Sequence, residues 1–247
     1  MKFECKGYAD CCRNLKNASK ERAEKFASVG VLNLATDPAN IALPVFDWEI
    51  GKMKDIAKET GRYISVKPLW VAIDHKDRPV VVMWNLDHND CQFLSGNDCT
   101  IYSDRPTICR SFPVTGSGFI QASSGKNDIK IASSTACRCW KEQIGDLGKM
   151  TVSDMYKTFY GIFGESYLAA LKYDMQFVFV TRVIQDLVDK GKIKPVYVDK
   201  KRLEKILQKG SVGFSGFLDT EKILTHEQLV AQLENIDNKA RSLVGTL

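Results

Sequence analysis

The sequence lacks any apolar run of the roughly 18 residues that would indicate a membrane-spanning helix. The nearest run, MQFVFVTRVI, is short and is interrupted by Arg182. The N-terminal segment MKFECKGYADCC also lacks the apolar stretch of a secretory signal peptide. We therefore expect a chain that neither spans nor anchors to a membrane, and we place it in the cytoplasm.

Histidine is scarce, with three in 247 residues, and two cofactor motifs are missing. No Gly-x-Gly-x-x-Gly follows a predicted strand, and no Cys-x3-Cys-x2-Cys loop of the radical S-adenosylmethionine type occurs. His88 lies three positions before Cys91 and is a candidate metal ligand or proton donor, but we disfavour these roles because the cysteines already suffice for a site. The sequence therefore offers no standard cofactor site outside its cysteines.

The composition is that of an ordinary globular protein, with 44% apolar and 26% charged residues. The formal net charge of +5 is spread along the chain and identifies no partner. The basic stretch from Lys190 to Lys209 lacks the interleaved aromatics of a base-stacking surface. We interpret it as a solvated helix face, which disfavours nucleic acid and leaves acidic protein partners open.

Hydrophobic periodicity predicts an α+β fold. A cysteine-bearing domain would cover residues 1–145, with short antiparallel strands, and a mainly helical region would cover residues 146–247 and pack on it. Helices are predicted over residues 13–30, from Asp47 to Lys58, from Thr151 onward, over 174–190, after Asp199 and after Thr225. Strands are predicted at GRYISV, LWVAI and PVVVMW, with a further hairpin of FIQAS and IKIAS across SGKND.

The eight cysteines fall into three groups, and none follows residue 139. In a reducing compartment, clustered thiols indicate metal binding or redox chemistry more than disulfides. No Cys-x-x-Cys knuckle of a short zinc ribbon occurs, so each ligand would come from its own turn of the chain. The groups are Cys5, Cys11 and Cys12; Cys91, Cys99 and Cys109; and Cys137 with Cys139.

The segment CTIYSDRPTICRSFP, residues 99–113, is stiffened by Pro106 and Pro113. Arg105 and Arg110 lie beside its cysteines. They would either place positive charge next to thiolates, lowering the pKa of the thiols, or form surface salt bridges. The residues alone leave both alternatives open.

The cysteine pattern resembles the YkgJ-type cysteine-cluster proteins, a family also described as a putative zinc- or iron-chelating domain. The paired Cys11 and Cys12, then CQFL, then CTIYSDRPTICRSFP carry the resemblance, which spans about residues 3–140. One departure is Tyr8, which occupies the position of a further N-terminal cysteine in the family.

The resemblance implies a metal centre and ranks its ligands. Cys91, Cys99 and Cys109 come first, Cys11 and Cys12 next, and Cys5 and Cys137 after them. Cys139 is open between a ligand and a small buried hydrophobic residue. An iron–sulfur cluster, [4Fe–4S], is the preferred cofactor and zinc the alternative.

The cysteine-rich segment is also similar to that of the flagellin lysine N-methylases. This similarity adds S-adenosylmethionine as a candidate cofactor and lysine methylation of a protein as a candidate activity. The other reading is a non-enzymatic metal-binding scaffold, or a metal-handling or interaction protein. In either case the helical C-terminal region would bind the protein substrate or partner.

Overall fold

The computed structural model describes residues 2–16, 31–133 and 137–246, and the chain forms two compact units. The cysteine unit comprises Met1–Arg13, Leu94–Phe179 and Val230–Leu247, and the sheet unit comprises Asn14–Phe93 and Val180–Leu229. Each unit is therefore built from separate stretches of chain. The boundary expected near residue 145 falls inside the cysteine unit and stays a prediction.

The α+β class is confirmed. Two of the described helices extend from one unit's stretch of chain into the other's: α6 (Glu165–Asp189) passes the boundary after Phe179, and α9 (His226–Val244) begins before Val230. Among the described residues, no helix is both long and apolar enough to cross a bilayer. The helices are α1 (Asp47–Glu59), α2 (Thr107–Ser111), α3 (Phe119–Ser123), α4 (Arg138–Gln143), α5 (Val152–Phe163), α6 (Glu165–Asp189), α7 (Lys200–Gln208), α8 (Phe214–Thr220) and α9 (His226–Val244).

The sheet unit is organised around two long antiparallel strands, joined by the predicted turn at residues 74–78. The described strands of its sheet run in the order β1 (Asn33–Leu34), β3 (Val66–Asp74), β4 (Pro79–Leu86) and β12 (Val212–Gly213). In addition, β11 (Ile193–Lys194) pairs with β3, and β2 (Leu43–Phe46) pairs with β4. β3 and β4 are buried along most of their length, which explains their continuous apolar sequences.

Asp47 joins three elements of the sheet unit. It opens α1, and its Oδ1 accepts a hydrogen bond from Trp84 Nε1 at 2.8 Å. Its Oδ2 accepts bonds from the Ser215 N–H at 2.9 Å and the Ser215 hydroxyl at 2.5 Å. A β-carbon at Gly213 would come within 2.5 Å of the carboxylate, so the glycine makes room for this contact. The sequence predicts that Asp47 caps its own helix, but its carboxylate instead accepts hydrogen bonds from Trp84 in β4 and from Ser215 at the start of α8.

The cysteine unit has short paired strands and a helical core. β5 (Leu94–Ser95) pairs with β6 (Asp98–Cys99), β7 (Val114–Gly116) with β9 (Ala132–Ser133), and β8 (Asp128–Ile129) with β10 (Met150–Thr151). The helices α5 and α6 supply most of the fully buried side chains. The buried core is Val114, Ile129, Ile131, Cys137, Cys139, Trp140, Met155, Phe159, Phe163, Tyr167, Leu168, Ala170, Leu171, Met175, Ala240 and Val244.

One predicted strand and one predicted hairpin are wrong. FIQAS forms the short helix α3 after Gly118, and IKIAS divides into β8 and β9, which pair with other strands. The predicted hairpin between these two segments therefore does not form. GRYISV is irregular up to Val66, where β3 begins. The helix predicted over residues 13–30 lies mostly outside the described residues, which omit 17–30.

A buried carboxylate lies in the cysteine unit at the start of α3. Oδ2 of Asp174, a residue 7% exposed, accepts bonds from the Ser117 N–H at 2.8 Å and the Ser117 hydroxyl at 2.6 Å. The Tyr167 hydroxyl donates to the Ser117 carbonyl at 3.1 Å. Burial raises the pKa of Asp174 to about 6, although the bonds from Ser117 act in the opposite direction.

Asp174 should make stability fall as pH rises. Because its pKa is raised in the fold from 3.8 to about 6, its contribution is fully present below pH ~4 and is lost as pH rises through about 6. Relative to Asp174→Asn, which cannot ionise, the wild-type free energy of unfolding should drop by about 2–3 kcal/mol between pH 4 and 7. Urea denaturation of both proteins across this range, with chelator present, measures the difference. Parallel curves would contradict the assignment.

Candidate metal centre

All eight cysteines lie within the residues that the structure describes. Seven lie in the cysteine unit, and Cys91 lies in the sheet unit, in the chain that follows β4. Cys137 and Cys139 are buried, Cys5 is exposed, and the other five are half-buried.

The two buried thiols lie at the start of α4 and accept backbone hydrogen bonds. Cys137 is the residue before the helix, and its Sγ accepts a bond from the Trp140 N–H at 3.4 Å. The Sγ of Cys139 accepts a bond from the Lys6 N–H at 3.3 Å. Backbone N–H groups directed at sulfur stabilise negative charge on it, as a metal thiolate requires.

The N-terminal segment is fastened along α4, and this brings Cys5 to the same place. The Glu4 N–H donates to Gln143 Oε1 at 2.9 Å, and Gln143 Nε2 donates to the Glu4 carbonyl at 2.7 Å. The Lys6 ammonium pairs with Glu142 at 2.8 Å. Cys5 therefore lies between two residues that are each tied to α4.

Arg138, between the two buried cysteines, binds the next part of the N-terminal segment. Its guanidinium pairs with Asp10 at 3.1 Å and lies over the Tyr8 ring at 4.2 Å from the centroid. The guanidinium lowers the pKa of Asp10, against the effect of burial. The sequence did not indicate this contact, because Asp10 and Arg138 are 128 positions apart.

Cys11 and Cys12 occupy a 3-10 turn, Asp10–Cys12, and their sulfurs are 3.8 Å apart. Arg13 follows the turn and holds it against the β5–β6 hairpin. Its Nη2 donates to the Gly96 carbonyl and to Asn97 Oδ1, each at 2.9 Å. This contact joins the N-terminal cysteine segment to the hairpin whose second strand ends at Cys99.

The Cys99–Cys109 loop is held by its two arginines. Arg110 Nε donates to the Arg105 carbonyl at 2.7 Å, and its Nη2 donates to the Ser103 carbonyl at 3.1 Å. Arg105 Nε donates to the Tyr102 carbonyl at 3.0 Å, and its guanidinium stacks on the Tyr102 ring at 3.7 Å. For these arginines the sequence leaves open positive charge beside thiolates and surface salt bridges. The structure shows a third role, because both guanidiniums fix the backbone of the loop.

Cys91 lines a small apolar cleft of the sheet unit with Leu15, Ile64 and His88. The His88 ring accepts a bond from the Ser65 N–H at Nε2, at 2.7 Å, and burial lowers the pKa of the ring. A nitrogen that accepts this bond is not free to bind a metal. The geometry therefore favours a structural His88.

Burial sets the protonation of Cys137. It raises the pKa of this thiol to about 11, and negative charge on Cys139, Cys5 and Asp10 would raise it further, whereas the Trp140 N–H lowers it. The thiol is therefore neutral near pH 7 unless a cation takes the place of its proton. A bound metal would be that cation, and loading would release protons.

The donor set fits a soft or borderline metal, because thiolates are the ligands that zinc and iron–sulfur clusters take. The N–H bonds to Cys137 and Cys139 support the same chemistry. Within residues 2–16, 31–133 and 137–246, no group of three or more His, Cys, Asp or Glu side chains is gathered that could hold a metal ion.

The family model described as "Putative zinc- or iron-chelating domain" matches residues 4–139, more than half of the chain. The chain belongs to this family. Its pattern of paired and spaced cysteines, CxxCxxCC, corresponds to Cys5, Tyr8, Cys11 and Cys12, with tyrosine at the second position. Metal binding through its cysteines follows from the membership. No curated protein and no solved structure matches the chain significantly.

Proposed function

We propose that this member of the family holds an iron–sulfur cluster, [4Fe–4S], on thiolates of its cysteine unit, in a reducing compartment such as the cytoplasm. The observation that carries the proposal is the pair of backbone N–H groups directed at the buried sulfurs of Cys137 and Cys139. Hydrogen bonds to sulfur are one of the means by which proteins stabilise such clusters. Clustered cysteines that bind a metal are typical of a reducing compartment, where disulfides are rare.

The residues that would hold the metal come from four segments of the cysteine unit. They are Cys5, Cys11 and Cys12, Cys99, Cys109, and Cys137; these residues, and Cys91 of the sheet unit, are all predictions from the sequence. An iron–sulfur cluster would supply one-electron transfer, whereas zinc would supply a structural crosslink only. The chain's own groups contribute N–H donors at the sulfurs and an aromatic environment.

That environment buries the thiols of Cys137 and Cys139, which belong to the same core as Trp140 and Phe163. The Trp140 ring stacks on Phe163 with centroids 5.0 Å apart, and Phe3 packs on the same ring at 5.8 Å. A dry surrounding strengthens the electrostatic effect of each N–H group on sulfur. It also limits access of oxidants to a bound centre.

Anaerobic purification followed by iron, sulfide and zinc analysis tests the proposal. We expect about four iron and four sulfide per chain, with a broad visible absorption band. If the analysis finds zinc and no sulfide, the protein holds a structural zinc site and not an iron–sulfur cluster. A chain free of both metals after loading under reducing conditions would contradict metal binding itself.

We propose protein modification, such as lysine methylation, as the activity that would use this centre. It is supported by the similarity of the cysteine-rich segment to that of flagellin lysine N-methylases. A methyltransferase must bind S-adenosylmethionine, and a ligand that binds only the folded state raises the melting temperature. Metal-loaded protein should therefore melt at higher temperature with S-adenosylmethionine than with S-inosylmethionine at equal concentration. An equal melting temperature would instead support the non-enzymatic scaffold.

A further inference from the structure

One surface of the sheet unit exposes an aromatic side chain beside a row of cations. Tyr197 is 88% exposed and Val196 is 38% exposed, whereas Val198 is buried at 6%. An apolar pair is therefore presented to solvent directly before the basic helix α7. Tyr197 is a single exposed aromatic residue of the basic stretch, and it does not form the interleaved array of a base-stacking surface.

The loop that carries Tyr197 is fixed from within the sheet unit. Asn33 is buried at 1% exposure. Its Nδ2 donates to the Val196 carbonyl at 3.2 Å, and its Oδ1 accepts from the Val198 N–H at 2.7 Å. Because Asn33 holds the backbone on both sides of Tyr197, the fold itself keeps this ring exposed to solvent. Binding of a partner to Tyr197 would therefore cost little conformational entropy, because the loop that carries this side chain is already ordered.

Helix α7 sets its cations in a row. Its inner face packs Leu203, with Ile206 and Leu207, on the sheet residues Val71 and Ile73. Residues four apart lie about 6 Å apart along a helix, so a regular row of positive charge covers the outer face. The exposed cations of that face are Lys201, Arg202, Lys205 and Lys209.

These cations are available to a partner. Two neighbouring lysines form ion pairs inside the sheet unit: Lys194 pairs with Asp77 at 2.8 Å, and Lys200 pairs with Asp37 at 3.6 Å. In the part of the chain that the structure describes, Lys201 and Lys205 make no such ion pair. Charge that the fold leaves unpaired can be matched by an incoming anionic group at low desolvation cost.

We propose that this surface binds an acidic segment of a partner protein, with an apolar side chain of that segment against Tyr197 and Val196. Two features favour a protein over nucleic acid. Glu204 is exposed within the cationic row and would repel a continuous phosphate chain. Tyr197 also stands beside an aliphatic residue, where a base-binding surface would place further aromatics. The proposal is independent of the metal centre.

Fluorescence anisotropy with the full-length protein tests this surface. The probe is a labelled synthetic peptide of repeating Glu-Glu-Leu, and the reference is the same peptide with Gln for Glu. We expect the acidic peptide to bind and to weaken with added salt. Lys201→Glu combined with Lys205→Glu should weaken binding about tenfold or more, and Tyr197→Ala about threefold to tenfold.

Lys58→Glu, at an exposed position of α1 in the same unit, is the matched control and should leave the affinity unchanged. Circular dichroism checks that all variants fold. Equal affinity of the double variant and the wild type would overturn the proposal. Tighter binding of an oligothymidylate than of the acidic peptide, lost in the same double variant, would also overturn it by assigning the surface to nucleic acid.

Discussion

Replacing Gly118 by alanine is expected to lower the free energy of unfolding by about 2–4 kcal/mol. Gly118 has a φ of +86°, where a β-carbon is strained, and that carbon would come within 2.3 Å of Ile129 Cγ2. Ile129 is fully buried, and Met155 lies 3.6 Å from the same point. The core would therefore have to shift at the position where Ser117 meets Asp174.

Thermal unfolding measures this effect, and a chain of this size should melt roughly 5–15 °C lower. Gly161→Ala is the control in the same unit. Gly161 is an exposed position inside α5 with open space around the added methyl group. Alanine there should stabilise the helix by about 0.5–1 kcal/mol. A melting temperature for Gly118→Ala at or above the wild-type value would disprove the packing argument.

Replacing Cys109 by serine is expected to abolish metal loading, and replacing Cys99 should do the same. Both residues flank the loop that Arg105 and Arg110 hold by backbone contacts. A serine hydroxyl stays protonated near neutral pH and does not replace a thiolate as a ligand. Metal content per chain after anaerobic reconstitution measures the loss, and we expect a lower melting temperature because metal binding is coupled to folding.

Two controls separate the ligand role from damage to the loop. Ser103→Ala removes one exposed hydroxyl from the same loop and should keep the full metal content. Cys139→Ser should have a milder effect than Cys109→Ser, because a hydroxyl there can still accept the bond from the Lys6 N–H. Full metal content in folded Cys109→Ser protein would remove this residue from the centre.

The sequence predicted the elements whose signals are local. The apolar runs of β3 and β4, the polar turn between them and the Asp47 to Lys58 helix are all observed. The Thr225–Gln228 cap of α9 is also confirmed, with the Thr225 N–H bonded to Gln228 Oε1 at 2.9 Å. In each case the residues that decide the structure lie within a few positions of one another.

The errors arose where long-range contacts outweigh propensity. FIQAS has β-branched and aromatic residues, yet it forms α3. The bond from the Ser117 N–H to Asp174, 57 positions away, fixes the chain just before that helix. The metal ligands are predicted from the cysteine-rich family pattern and not from any rule of local propensity, and this ligand set stays a prediction.

The α+β class and the membership of a metal-binding cysteine family can both be read from the residues, because hydrophobic periodicity and the cysteine pattern are properties of the sequence. The tertiary structure alone decided how the thiols are supported and what else is exposed. Lys6 and Arg138 act on the cysteine unit across more than 120 positions, and Asn33 holds the loop of Tyr197 from 163 positions away. Such contacts carry no local sequence signal, since they depend on which distant segments the packed core brings together.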